Sequence, residues 1–70
     1  MIVVPIFQIY EEYGQEGEQI FYINGVEVGR CDHDSHGWSG MEAVRNMFES
    51  TAAILGVNPE QDIEILEEPL

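Results

Sequence analysis

Apolar positions run almost unbroken over residues 1–10, MIVVPIFQIY, where Ile, Val, Phe and Tyr dominate, a composition that suits a strand. Both alternating sets are apolar: Ile2, Val4 and Ile6 on one side, Val3, Phe7 and Ile9 on the other. Such a strand expects cover on two faces. Pro5 has no N–H for a ladder, which places this strand at a sheet edge or puts a bulge in it. EEYGQEGE, residues 11–18, follows as a glycine-bearing acidic turn. QIFYINGVEVGR then carries the most specific local signal, because Asn24-Gly25 tolerates the positive φ angles of a type I′ hairpin. With those two residues as the loop, Ile23 faces Val26 and Phe21 faces Val28, and Ile20, Tyr22 and Glu27 point the other way.

Residues 40–55 change to helical spacing. Met41, Val44, Phe48 and Leu55, supplemented by Met47, Ala52 and Ile54, form an apolar stripe opposite Glu42, Arg45, Glu49 and Ala53. Ser39 and Glu42 have the S-x-x-E spacing of a capping box, with Trp38 placed to staple onto Ala43. Arg45 lies three residues after Glu42 and four before Glu49. Gly56 suits the left-handed position that ends a helix, with Val57 packing back on Ala52. Ile63 and Ile65 alternate with acids in a last strand. The chain therefore predicts one α+β domain over 1–70: an antiparallel sheet in β-β-β-α-β order with one helix on one face. One helix leaves the other face open, so Ile20, Tyr10, Tyr13 and Tyr22 are expected to form a contact surface there, for a partner or a second copy.

Charge changes this picture most. Fourteen Asp and Glu stand against two Arg and no Lys, a formal net charge of −12. Direct nucleic-acid binding is excluded by that balance, since phosphate contacts need Lys and Arg to displace counterions. A body so negative is steered toward basic surfaces, including clefts that ordinarily hold DNA or RNA. Solubility and adaptation to a salt-rich cell are the plainer explanations of the same acidity. Only Glu42 and Glu49 are expected within the helix; the other acids fall in loops, the hairpin and the last strand. The expected partner-binding residues are Glu11, Glu12, Glu16, Glu18, Asp32 and Asp34, with Tyr10, Tyr13, Tyr22 and Trp38 as aromatic anchors.

The loop RCDHDSHGWSG, residues 30–40, concentrates the remaining chemistry. Cys31, His33 and His36 are capable zinc ligands, but structural sites usually join two separated ligand pairs, and these come from one loop. A metal site on those three residues is the alternative to an acidic approach to a helix N-terminus, and no cofactor is otherwise expected. Cys31, the only cysteine, excludes an internal disulfide, and its acidic neighbours disfavour a thiolate nucleophile. Ser35 and Ser39 suit turn and cap positions, and Gly37 and Gly40 lack the lysine of a phosphate loop. No enzyme is expected. Trp38 reads either as a buried staple or as an exposed anchor that, with Asp32 and Asp34 beside it, would hold an arginine-rich surface. The N-terminus lacks the pattern of a signal peptide and no segment approaches the ~18 apolar residues of a membrane span, so a cytoplasmic protein is expected.

The layout FYINGVEVGRCDHDSHGWSGMEAV, hairpin then acidic loop then capped helix, together with the charge of the whole chain, resembles the small acidic inhibitors encoded by phages and other mobile elements, anti-CRISPR proteins and DNA mimics among them. The resemblance is one of layout and charge and transfers no individual residue. It implies an inhibitor in the host cytoplasm that occludes a nucleic-acid groove on a host defence or nucleic-acid-processing complex, its carboxylates standing where phosphates would sit. A small metal-binding protein and an acidic homodimer are the alternatives.

Overall fold

A computed structural model describes residues 3–12 and 17–70. Four strands and one helix follow in the expected order: β1 (Phe7–Glu11), β2 (Glu18–Ile23), β3 (Val26–Asp32), α1 (His33–Ile54) and β4 (Glu64–Leu66). The strands lie in the order β3-β2-β1-β4.

The sheet is mixed, which corrects the antiparallel expectation. β1–β2 and β2–β3 are antiparallel, but β4 runs parallel to β1, with Ile9 opposite Ile65. Counting directions gives the reason. β1 and β3 point the same way, α1 carries the chain back, and β4 starts in that same direction. Only a place beside β2 would make β4 antiparallel, and both sides of β2 are taken. β1 is accordingly central, not an edge. Pro5 does not interfere, because the ladder begins two residues later at Phe7.

The Asn24-Gly25 turn forms as expected, with φ of 53° and 79° and Ile23 opposite Val26. Its Asn24 also ties down the approach to β1: Asn24 Oδ1 accepts from the Ile6 amide at 2.8 Å, and the Asn24 amide donates to the Ile6 carbonyl at 2.7 Å. Further along, a bulge shifts the register, so that Phe21 faces Gly29 instead of Val28.

Phe7, Ile9, Phe21 and Cys31 from the sheet meet Met41, Phe48 and Ala52 from α1, with Val57 closing the end of the core. Phe48 is its centre, its ring 5.1 Å from that of Phe7 and 4.9 Å from that of Phe21. The expected stripe is narrower in fact: Val44 is half-buried, while Met47, Ile54 and Leu55 are exposed. The helix ends as its sequence indicates. Gly56 has φ of 88°, its amide donates to the Ala53 carbonyl, and the Val57 amide donates to that of Ala52 at 2.9 Å.

Two other expectations need correction. A first helical turn begins at His33, capped by Asp32, which accepts from the Ser35 amide at 2.6 Å, and brings Asp34 into α1; Gly37 is non-helical, so the unbroken run that carries Glu42 and Glu49 starts at Trp38, close to the expected start and with Ser39 in its first turn instead of at its cap. The second sheet face is not open at Ile20 and Tyr22, which are 5% and 4% exposed, and the Leu70 amide donates to the Tyr22 hydroxyl at 3.3 Å. The tail after β4 thus reaches the face that α1 leaves. No helix among the described residues is long and apolar enough to cross a membrane.

Candidate functional site

The same count of directions that makes β4 parallel also gathers the acids. β1 and β3 both finish at one end of the sheet, β2 starts there, and α1 begins there. Glu12, Glu18, Asp32 and Asp34, distant in sequence, consequently surround one recess of about 210 Å³. The chain leaves β4 at this end too, followed by Glu67 and Glu68, both exposed.

Glu18 and Asp32 are directly opposed on the β2–β3 ladder. Like charges so placed repel. Two local devices offset that repulsion. Arg30, two residues before Asp32 on β3, reaches Glu18 at 3.1 Å and also pairs with Glu27. Asp32 turns its carboxylate to the first turn of α1, where hydrogen bonds from the Ser35 amide and then the Ser35 side chain hold it below the usual carboxylate range. Its own amide donates to His36 Nδ1 at 3.3 Å, which holds that imidazole against the start of α1.

Gly37 interrupts the helix with φ of 66° and ψ of 173°, backbone angles that only glycine adopts readily. Directly after it, Trp38 is 70% exposed, so the buried staple is corrected in favour of the exposed aromatic. The break lets the indole fold against the His33 ring, 4.4 Å between centroids, instead of against the sheet. Trp38 also borders a second recess, about 280 Å³, with Gln19, Met41, Glu42 and Arg45.

Of the acids expected to meet a partner, Glu12, Glu18, Asp32 and Asp34 are therefore brought together. Glu11 is not among them. Its side chain is 8% exposed and pairs with Arg45 of α1, which also bonds Glu49 at 3.2 Å, while Gln19 Nε2 donates to it at 3.3 Å. Helical spacing reveals the Arg45–Glu49 contact, but the longer reach to Glu11 depends on how α1 crosses the sheet. Among the aromatic residues, Tyr22 is buried, Tyr10 is half-buried, and Tyr13 lies outside the described residues, as does Glu16.

The metal alternative does not assemble. Among the described residues no group of three or more His, Cys, Asp and Glu is placed to hold a metal ion. Cys31 is 2% exposed, its thiol directed at Gln19 Oε1 at 3.8 Å, His33 lies on Trp38 and His36 is turned to the Asp32 amide. Burial, then the charges of Asp32 and Glu18, push the Cys31 thiol up, keeping it protonated and unreactive at neutral pH.

Comparison with known proteins finds nothing similar: no protein family, no curated protein and no solved structure matches the chain.

Proposed function

We propose that this protein is a non-catalytic acidic binding module that docks on a basic surface of a nucleic-acid-binding protein and keeps nucleic acid from it. The observation that carries this reading is the convergence of Glu12, Glu18, Asp32 and Asp34 on one recess, with the exposed Trp38 packed on His33, the residue between Asp32 and Asp34. Both arginines of the chain are already paired with carboxylates of its own, Arg30 with Glu18 and Glu27 and Arg45 with Glu11 and Glu49. The field at this end of the sheet is thus strongly negative and steers toward cations. Carboxylates gathered from two strands, a loop and a helix start on one recess offer a partner clustered anionic oxygens, as a phosphate backbone does. Trp38 supplies what charge alone does not, a large apolar surface over which a partner's guanidinium can stack. The inhibitor role on a defence or nucleic-acid-processing complex belongs to this same reading.

Affinity capture from a cell lysate with the natural chain and with a Glu12→Lys, Asp34→Lys variant tests it. The reading expects a basic partner that the natural chain retains, that added DNA or RNA displaces, that salt weakens, and that the variant fails to hold. A partner retained equally by the variant, or indifferent to nucleic acid, overturns it.

A further inference from the structure

Beyond that docking end, we infer that β3 is a self-association edge, along which two copies of the chain pair antiparallel to make one continuous sheet. β3 has a neighbour on one side only and is seven residues long, whereas the opposite edge, β4, has three. An edge of this length exposes unpaired backbone groups that template another strand. Its apolar side chains are not withdrawn: Val26 is 63% and Val28 53% exposed, and Met47 on the adjoining face of α1 is 72% exposed.

The edge also has a shape. Gly29 stands where the bulged register sets it opposite Phe21, and no atom lies within 4 Å of where a Cβ would be. The missing side chain leaves a groove of about 160 Å³ floored by Phe21 and Phe48 and walled by Val28 and Met47. Antiparallel pairing with the two-fold axis between Val28 and Gly29 sets Val28 of each copy against the glycine notch of the other. The same register brings Glu27 opposite the partner's Arg30, and Arg30 opposite the partner's Glu27, so that the Glu27–Arg30 pair each copy makes within itself is exchanged for one made between copies. One register therefore fills both notches and pairs unlike charges twice.

Charge selects the occupant. Over the six residues that this register pairs, Val26 to Cys31, the edge holds one acid and one base, and Asp32 at the end of β3 lies outside that stretch, so the paired segment is neutral where the sheet end is strongly negative. A basic strand finds no excess of carboxylates along it, while a second copy finds its own complement. The net charge of −12 on each copy opposes association at long range, and salt screens that repulsion over about 8 Å at physiological strength. Self-association consequently strengthens with salt, opposite to the proposed docking on a basic partner, so the two readings fail separately.

Analytical ultracentrifugation over protein and salt concentration gives the first test, with a monomer–dimer equilibrium that salt shifts toward dimer as the expected result. A monomer at every salt and concentration overturns the inference. Register is tested with Glu27→Arg and Arg30→Glu, each confirmed as folded by circular dichroism. Each variant alone sets like charges opposite one another and raises the dimer dissociation constant about tenfold. Mixed one to one, the two variants restore both unlike pairs and form a heterodimer as tight as the natural dimer. A dimer indifferent to both variants, or a mixture no tighter than either variant alone, overturns the β3 register. Val28→Asp is expected to leave a folded monomer, and a dimer that persists in that variant places the contact elsewhere.

Discussion

Arg45 of α1 and Glu11 of β1 form an ion pair across the helix–sheet interface, thirty-four residues apart in the chain, and the carboxylate side is nearly withdrawn from water at 8% exposure. An acid that reads as part of a binding surface is thus a structural tie. Replacing Arg45 by Met removes the cation from a largely buried carboxylate that keeps its hydrogen bond from Gln19, and the charge without its counter-ion is costlier than never having had the pair. Because Arg45 itself is 36% exposed, the loss should fall below that of a fully buried pair, roughly 2 kcal/mol in urea denaturation. Glu11→Gln in the Arg45→Met background should recover part of it. An Arg45→Met protein as stable as the natural one would show the pair to be ornamental.

The break at Gly37 is a second place where stability rests on one residue. Its φ of 66° with ψ of 173° lies outside what side-chain-bearing residues reach without strain, while no atom within 4 Å crowds the place a Cβ would take. The expected cost of Gly37→Ala is accordingly torsional, about 1–3 kcal/mol. Gly40→Ala differs in kind. There a Cβ would lie 2.9 Å from the His36 Cβ, so the first turn must shift, and with it the His36–Asp32 contact. Denaturation of both variants, alongside near-ultraviolet circular dichroism of Trp38, separates strain from displacement: the indole signal should change in Gly40→Ala even where stability is little altered.

Features written in a few adjacent residues were legible in the sequence. Asn24-Gly25 and Gly56-Val57 took their expected geometry because each depends on backbone torsions that neighbours do not override. The direction of β4 was also within reach, since three strands and a returning helix leave it only one orientation beside β1. The helix start is legible only in part because two capping signals lie close together, S-x-x-E at Ser39 and D-x-x-S at Asp32, with the break at Gly37 between them. Asp32 adds the first turn by sitting where β3 ends, so strand and helix join without a loop. The fate of Glu11 and the covering of Tyr22 were not legible. One depends on the path of α1 over the sheet and the other on a tail that returns to it.

The Asp32 cap gives stability a definite dependence on acid. Its folded carboxyl titrates below its unfolded value, chiefly because the Ser35 amide and side chain bond the charged form. The contribution is therefore complete above the ordinary aspartate range near pH ~4 and lost as pH falls through the lower folded value. Asp32→Asn keeps an acceptor for the Ser35 amide and removes the titration, so its melting temperature should fall less steeply between neutral and acid pH than that of the natural chain. Asp32→Ala should lower the melting temperature by a few degrees at neutral pH. Equal acid slopes for the natural chain and Asp32→Asn would remove this carboxylate from the account.

Burial of Cys31 makes its thiol a reporter of global opening. The side chain lies in the core at 2% exposure, its ionisation opposed first by burial and then by Asp32 and Glu18. Reaction with a disulfide reagent at neutral pH should be slow in the folded protein, complete in urea, and should accelerate in Arg45→Met and Gly37→Ala in step with their loss of stability. A fast reaction in the native state, unchanged by either variant, would place the thiol at the surface.

The acidic end of the sheet should cost the fold something, and this is where stability and binding pull apart. Glu18 and Asp32 oppose one another on the ladder, with Glu12 and Asp34 bordering the same recess, yet Arg30 reaches only Glu18 among these four. Screening weakens like-charge repulsion, so added salt should raise the melting temperature. Glu12→Lys should raise it at low salt and flatten its salt dependence, since Glu12 is exposed and its replacement relieves repulsion without opening a cavity. The same change should weaken capture of a basic partner. A surface kept for solubility predicts only the first effect, and a surface kept for docking predicts both. Glu64, at the other end of β4 and bonded by Gln8 at 3.0 Å, supplies the control. Glu64→Lys changes net charge equally but should leave capture largely intact, and equal loss of capture from both positions would mean that total charge, not the recess, attracts the partner.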